Sequence, residues 1–170
     1  MKAPNKTTAQ STYATYLLSQ VPQIIQACRA KHYLPQYLKP WANTPVGVIA
    51  LGKAATDMIE VAYGELHALG ATLVEKGLCV TKRGYPKPNC GADFIEAMHP
   101  KPDEGSLRAA QKIISYAQNL PPGTPLLFLL SGGASSLACL PIEGMSLAQK
   151  AQLTHALMSK GADIHELNAV

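Results

Sequence analysis

The sequence predicts an α/β domain: a three-layer sandwich with a mostly parallel sheet, preceded by an N-terminal helix. Three observations lead there. Short, strongly apolar runs alternate with longer segments in which apolar residues return every three or four positions. Turns rich in Gly, Pro and Asn separate the two kinds of segment. With 170 residues, 47% of them hydrophobic and 15% charged, the chain can fill one sizeable core and little more. Strands that alternate with helices are joined by right-handed crossovers, which cover both faces of a parallel sheet.

From Thr7 to about Cys28, the residues Tyr13, Tyr16, Leu17, Val21, Ile24, Ile25 and Cys28 fall on one helical face, and Pro22 is expected to kink or divide that helix. Val46 to Leu51 is too short and too β-branched for a helix and reads as a strand buried on both faces, ending at Gly52. Ala54, Ala55, Met58, Ile59, Ala62, Leu66 and Leu69 give a helix over 53–69, stopped by Gly70. Strands are expected at Leu78–Thr81 and Phe94–Met98, with a Gly/Pro/Asn loop from Gly84 to Gly91 between them. Asp103 caps the next helix, whose buried stripe is Leu107, Ala110, Ile113, Ile114 and Ala117. Pro121-Pro122-Gly123 then breaks the chain before Leu126-Leu127-Phe128-Leu129-Leu130, the most apolar run and the expected central strand. A helix over 146–160 precedes Gly161, and the residues from Asp163 to Val170 begin one more helical pattern. No Gly or Pro closes that pattern, so the sequence reads as a single domain, 1–170, cut within an element and without a second domain.

Charge and cysteine content exclude several function classes. The 15 basic and 11 acidic residues are scattered, with no basic run of the kind a nucleic-acid arm carries. Cys28, Cys79, Cys90 and Cys139 form neither a CxxC pair nor a zinc-finger spacing, which suits reduced thiols. The polar start and the short apolar runs give no signal peptide or membrane span, so a soluble, cytoplasmic protein is expected.

The chemistry-bearing residues lie where strands end. Gly47 to Lys53 imitates the G-x-x-x-x-G-K of a Walker A loop, but position 54 is Ala where Ser or Thr binds magnesium, and residues 48–51 must be strand interior. Gly52 and Lys53 still matter. A cation at a helix N-terminus forfeits about 0.3 to 1 kcal/mol against the dipole, and ligands of open α/β sheets bind outside the carboxyl ends of the strands. Lys53 therefore either meets an anion there or bends into solvent. Ser131-Gly132-Gly133-Ala134-Ser135-Ser136 follows the apolar strand; its glycines allow close backbone approach and its N–H groups suit phosphate or carboxylate, or it is a tight turn with hydroxyl caps. His99 either serves a ligand or anchors its loop, and Lys82-Arg83 reads as a solvated pair. No spacing of His, Cys, Asp or Glu suggests a metal cluster.

Taken in order, these motifs carry a resemblance. Leu51-Gly52-Lys53-Ala54-Ala55 with Met58, then His99-Pro100-Lys101-Pro102-Asp103-Glu104-Gly105-Ser106, then Leu130-Ser131-Gly132-Gly133-Ala134-Ser135-Ser136-Leu137 with Pro141, then Gly161-Ala162-Asp163-Ile164 and Glu166-Leu167-Asn168-Ala169-Val170, resemble the Rossmann-like N-terminal domain of the glycerate 2-kinase family. The resemblance runs from about Tyr13 to Val170. It implies ATP-dependent phosphorylation of glycerate to 2-phosphoglycerate with Mg2+, in a cleft closed by a second, C-terminal α/β domain, and it leaves a homo-oligomer open. It makes Lys53 the catalytic lysine and Gly52, Ser131, Gly132, Gly133, Ser135, His99 and Asn168 substrate- or phosphate-binding residues. Some members carry the older label of hydroxypyruvate reductase. One rival reading is thus an NAD(P)-dependent reductase, although no G-x-G-x-x-G follows the first strand. Another is a non-catalytic ligand-binding or interaction fragment.

Overall fold

The computed structural model describes residues 6–168. A helix, α1 (Lys6–Ala27), leads through two short helices, α2 (Ala30–Tyr33) and α3 (Pro35–Leu38), into the central strand β1 (Pro45–Leu51). There follow α4 (Ala55–Ala68), β2 (Thr72–Leu73), β3 (Leu78–Lys82), β4 (Asp93–Ala97), α5 (Glu104–Asn119), β5 (Leu126–Leu130), α6 (Ala134–Leu137), α7 (Leu147–Ser159) and α8 (Ile164–Asn168). Every strand pairing is parallel, and β1 carries the sheet: β2 pairs with its start and β3 with its end on one side, β5 lies along the other, and β4 lies beyond β3. The sheet is parallel as the alternation of elements requires.

Alternation along β1 sends its side chains into two cores. Val46, Val48 and Ala50 meet α2, α3 and α4 through Ala30, Leu34, Leu38, Ile59 and Leu66. Ile49 and Leu51 meet α5 and α6 through Ala109, Tyr116 and Leu137. Gly47 lets α5 approach, since a Cβ there would lie 2.7 Å from Leu120 Cδ1 and 3.3 Å from Tyr116 Cε1. Tyr116 thereby reaches the strand, and its hydroxyl accepts a hydrogen bond from the Val48 N–H at 3.1 Å. Asp57 in the first turn of α4 ties the entry helices down: it accepts from the Ala30 N–H at 2.7 Å and pairs with Arg29.

Several expectations need correction. Pro22 does not divide α1, which runs through it; the apolar residues Tyr13, Tyr16, Leu17, Val21, Ile24 and Ile25 are all exposed, because no described element packs extensively against α1. The helix expected over 53–69 begins at Ala55, so Lys53 sits in the turn before it and not in its first turn. On α5, Ala109, Ala110 and Tyr116 are buried, while Ile114 and Ala117 of the expected stripe are exposed. The apolar strand β5 is not central; among the described residues it pairs with β1 alone and forms an edge. Capping boxes at Asp103 with Ser106 and at Ser146 with Gln149 start α5 and α7 where expected.

Candidate active site

With all strands parallel, the turns after β1, β3, β4 and β5 open on the same edge of the sheet, and three of the sequence-predicted segments meet there. Gly52 is the pivot. Its φ of +128° is open to glycine, and a Cβ would lie 2.5 Å from the Ser131 carbonyl oxygen, so only glycine allows the two turns to touch. Contact is then fixed by hydrogen bonds. The Lys53 N–H donates to the Gly132 carbonyl at 3.0 Å, the Ala54 N–H donates to Ser131 Oγ at 3.1 Å, and the Ser131 N–H donates to the Leu51 carbonyl at 2.9 Å. The Ser131 hydroxyl is therefore engaged in bracing the lysine turn.

Lys53 and His99 converge over Gly133. A Cβ on Gly133 would lie 2.9 Å from His99 Cδ2 and 3.1 Å from Lys53 Cε, and the residue's φ of +95° again selects glycine. An exposed cation, a half-buried imidazole and a backbone turn thus share one small volume. The first N–H groups of α6 start at the same turn, where helix geometry leaves them without intrahelical partners. Gly132 and Ser135 are exposed beside it, and the Ser136 hydroxyl donates to the Gly133 carbonyl at 3.0 Å. Asn168 falls in α8, and its side chain lies outside the described residues.

Two supporting groups escaped the sequence reading. Thr81, fully buried at the end of β3, donates its hydroxyl to the Gly52 carbonyl at 2.9 Å and so clamps the lysine turn from the side opposite β5. A lone hydroxyl closing an apolar strand at the ligand edge was its only signal. Asp103 is the second. Its carboxylate accepts from the Met98 N–H and the Ser106 N–H, each at 3.1 Å, and from Arg83 at 2.8 Å, which fixes both ends of the His99 loop. Partial burial opposes its charge, but these hydrogen bonds and the Arg83 cation outweigh it and hold the pKa below the ordinary aspartate value. Arg83 is thus paired with Asp103 instead of being solvated beside Lys82, whose ammonium lies 5.8 Å from the centre of the Tyr85 ring.

No three His, Cys, Asp or Glu side chains gather among the described residues, and Asp103 is already committed, so these residues do not fit a divalent metal site. No described helix is long and apolar enough to cross a membrane.

A parallel α/β sheet with a cation, an imidazole and glycine turns at its carboxyl edge defines a domain of the doubly wound α/β class. Comparison with known proteins makes this specific. Residues 13–170 match the family described as Domain of unknown function (DUF4147), and the chain belongs to that family. It is 41% identical over 124 residues to the D-glycerate 2-kinase of Thermotoga maritima and 42% identical over 125 residues to the glycerate 2-kinase of Pyrococcus horikoshii. These matches take in 72% and 74% of this chain but 29% and 27% of those proteins, so the matched part is less than a third of their length. The crystal structure of the Thermotoga maritima glycerate kinase superimposes with a TM-score of 0.78 at 34% identity, covering 94% of this chain and 38% of that one.

Proposed function

We propose that this domain supplies one wall of an ATP-dependent glycerate 2-kinase, with Lys53 as its catalytic residue. The observation that carries the reading is the meeting of Lys53 and His99 over Gly133; the homology to glycerate kinases supports the substrate. In the reaction, the C2 hydroxyl oxygen of glycerate bonds to the γ-phosphorus of ATP, the bond from that phosphorus to the β–γ bridging oxygen breaks, and ADP leaves with the electron pair. Phosphoryl transfer needs positioning and neutralisation of charge on the transferred group. Lys53 provides the cation. The turn at Gly132 and Gly133 provides close-approaching backbone, and His99 hydrogen-bonds the bound anion or takes the hydroxyl proton. Ser131 and Thr81 act by holding the lysine turn. Magnesium, when present, neutralises phosphate charge; the described residues offer it no ligand set, and no step above depends on it.

Since Lys53 and Gly132 are exposed, this wall alone does not exclude water. The 170-residue chain is therefore expected to turn over far more slowly than the roughly 1 to 100 per second typical of kinases. An assay with ATP, magnesium and glycerate tests this, and turnover in that range would refute the one-wall reading. The same exposure supports a second reading, a ligand-binding fragment without catalysis. Calorimetry with glycerate and a non-hydrolysable ATP analogue separates them: binding that Lys53→Ala leaves unchanged would remove Lys53 from the site.

A further inference from the structure

Lys53 follows β1 and His99 follows β4, and the strand between those two ends in a further cation. In β3, Val80 is level with Leu51 of β1, and Lys82 is level with Ala97 of β4. Neighbouring strands stand about 4.8 Å apart, so the Lys82 backbone lies one strand from the lysine turn and one strand from the start of the His99 loop. Side chains alternate along β3. Leu78 and Val80 enter the core formed with α5 and α6, so the half-buried Lys82, two residues further on, leaves the sheet on the face where α6 begins at Gly133. The turn it opens is pinned: the Arg83 N–H donates to the Ala97 carbonyl at 2.9 Å, the Gly84 N–H to Glu96 Oε1 at 2.8 Å and the Tyr85 N–H to the Lys82 carbonyl at 3.1 Å. The carboxylates of this corner are engaged, Asp103 by Arg83, Met98 and Ser106, and Glu96 by Gly84. Among the described residues, neither Lys53 nor Lys82 joins an ion pair. The Lys82 ammonium rests over the Tyr85 ring, a weak contact at an exposed site, which restricts the cation without neutralising it.

We propose that Lys82 binds the carboxylate of the acceptor and so selects hydroxy acids over neutral polyols, an assignment that rests on the kinase reading of Lys53. Glycerate carries its carboxylate on the same carbon as the reacting hydroxyl. Bringing that charge up to a phosphoryl group is opposed by repulsion, and one ammonium cannot meet both anions at once. Two lysines on adjacent strand ends can. Lys53 serves the transferring phosphoryl, and Lys82, held over Tyr85 with less freedom to lose on binding, takes the carboxylate.

The test titrates the chain with glycerate, with glycerol, which has a hydroxyl in place of the carboxylate, and with a non-hydrolysable ATP analogue, following the amide signals of Lys53, Arg83 and Gly133 by NMR. Glycerate is expected to bind about tenfold more tightly than glycerol, as one charge-assisted hydrogen bond would give. Lys82→Gln should weaken glycerate about tenfold and leave glycerol unchanged, and Lys82→Arg should recover most of the loss. A lysine that only held its turn would weaken both ligands alike on removal, which overturns the proposal. If Lys82→Gln does not fold, the Lys82 Cε–H signals of the unaltered chain decide, since they must shift with glycerate and not with glycerol. Glycerate binding that survives Lys82→Gln but falls in Lys53→Ala overturns the carboxylate assignment and leaves the kinase reading standing. Weakening of the ATP analogue and not of glycerate in Lys82→Gln overturns it in favour of a phosphate contact. If the chain binds glycerate no better than glycerol, the assignment fails and the one-wall reading fails with it.

Discussion

Lys53→Ala, placed in a protein of the relatives' full length, is expected to cut glycerate phosphorylation by about 10²- to 10³-fold, which is about 3 to 4 kcal/mol of transition-state stabilisation. The melting temperature should hold or rise slightly, because the lysine side chain is exposed and its charge lies near the positive end of α4. Measuring kcat and melting on one preparation checks both halves. Gly133→Ala should behave differently: a side chain forced to positive φ costs about 1 to 2 kcal/mol, and its Cβ presses on His99 and Lys53, so stability and activity should fall together. The thiols give a separate check. Burial pushes the Cys79 thiol up to about 11 and raises Cys90 and Cys139, while Cys28 is exposed. An aromatic disulfide reagent at pH 8 should label Cys28 rapidly and the buried Cys79 and Cys139 only as the domain unfolds.

Among the elements, α5 depends on a single carboxylate. Asp103→Ala removes the cap, the anchor of Met98 and the partner of Arg83, and should cost at least about 1 kcal/mol in chemical denaturation. The acid response follows from the same residue. For Asp103, and for Asp57 between Arg29 and the Ala30 N–H, burial raises the pKa but the hydrogen bonds and cations lower it further, so the folded value lies below the unfolded one. Their contribution is complete above the ordinary aspartate value, about 3.9, and is lost as the pH falls through the lower folded values. Stability measured between pH 6 and pH 2 should drop over that range, and the drop should be shallower in Asp57→Asn and Asp103→Asn. Elements with such local determinants were legible in the sequence: β1 from its unbroken apolar run, α5 from its Asp103 cap, α7 from the segment that ends at Gly161. The two residues of β2 and the four each of α2, α3 and α6 are too short to show a period. Whether β5 is central or peripheral was not written in Leu126–Leu130 at all, since that depends on which strands it meets.

For the molecule as a whole, the candidate site was legible insofar as ligands of such sheets meet strand ends, which is why Lys53, His99 and the Gly132-Gly133 turn, which the structure brings together, could be named as candidates. Thr81 was not, because a hydroxyl that satisfies a carbonyl across the sheet has no pattern along the chain. The apolar face of α1 was legible as a face but not as an exposed one, since burial is a property of what surrounds a helix. The seam between Gly52 and Ser131 also bears on how this domain comes to exist in time. The bond from the Ala54 N–H to Ser131 Oγ closes a separation of 77 residues, and contacts so distant in sequence must be reached against the entropy of a long loop. The chain up to Leu120 already holds β1 through β4 and can condense around α4 and α5, but the Lys53 and Ala54 N–H groups find their partners only when β5 and its turn arrive. Under pulse labelling during refolding, the Lys53 and Ala54 amides should gain protection together with Ser131 and after β3, so the corner that holds Lys53 is the latest part of the sheet to mature.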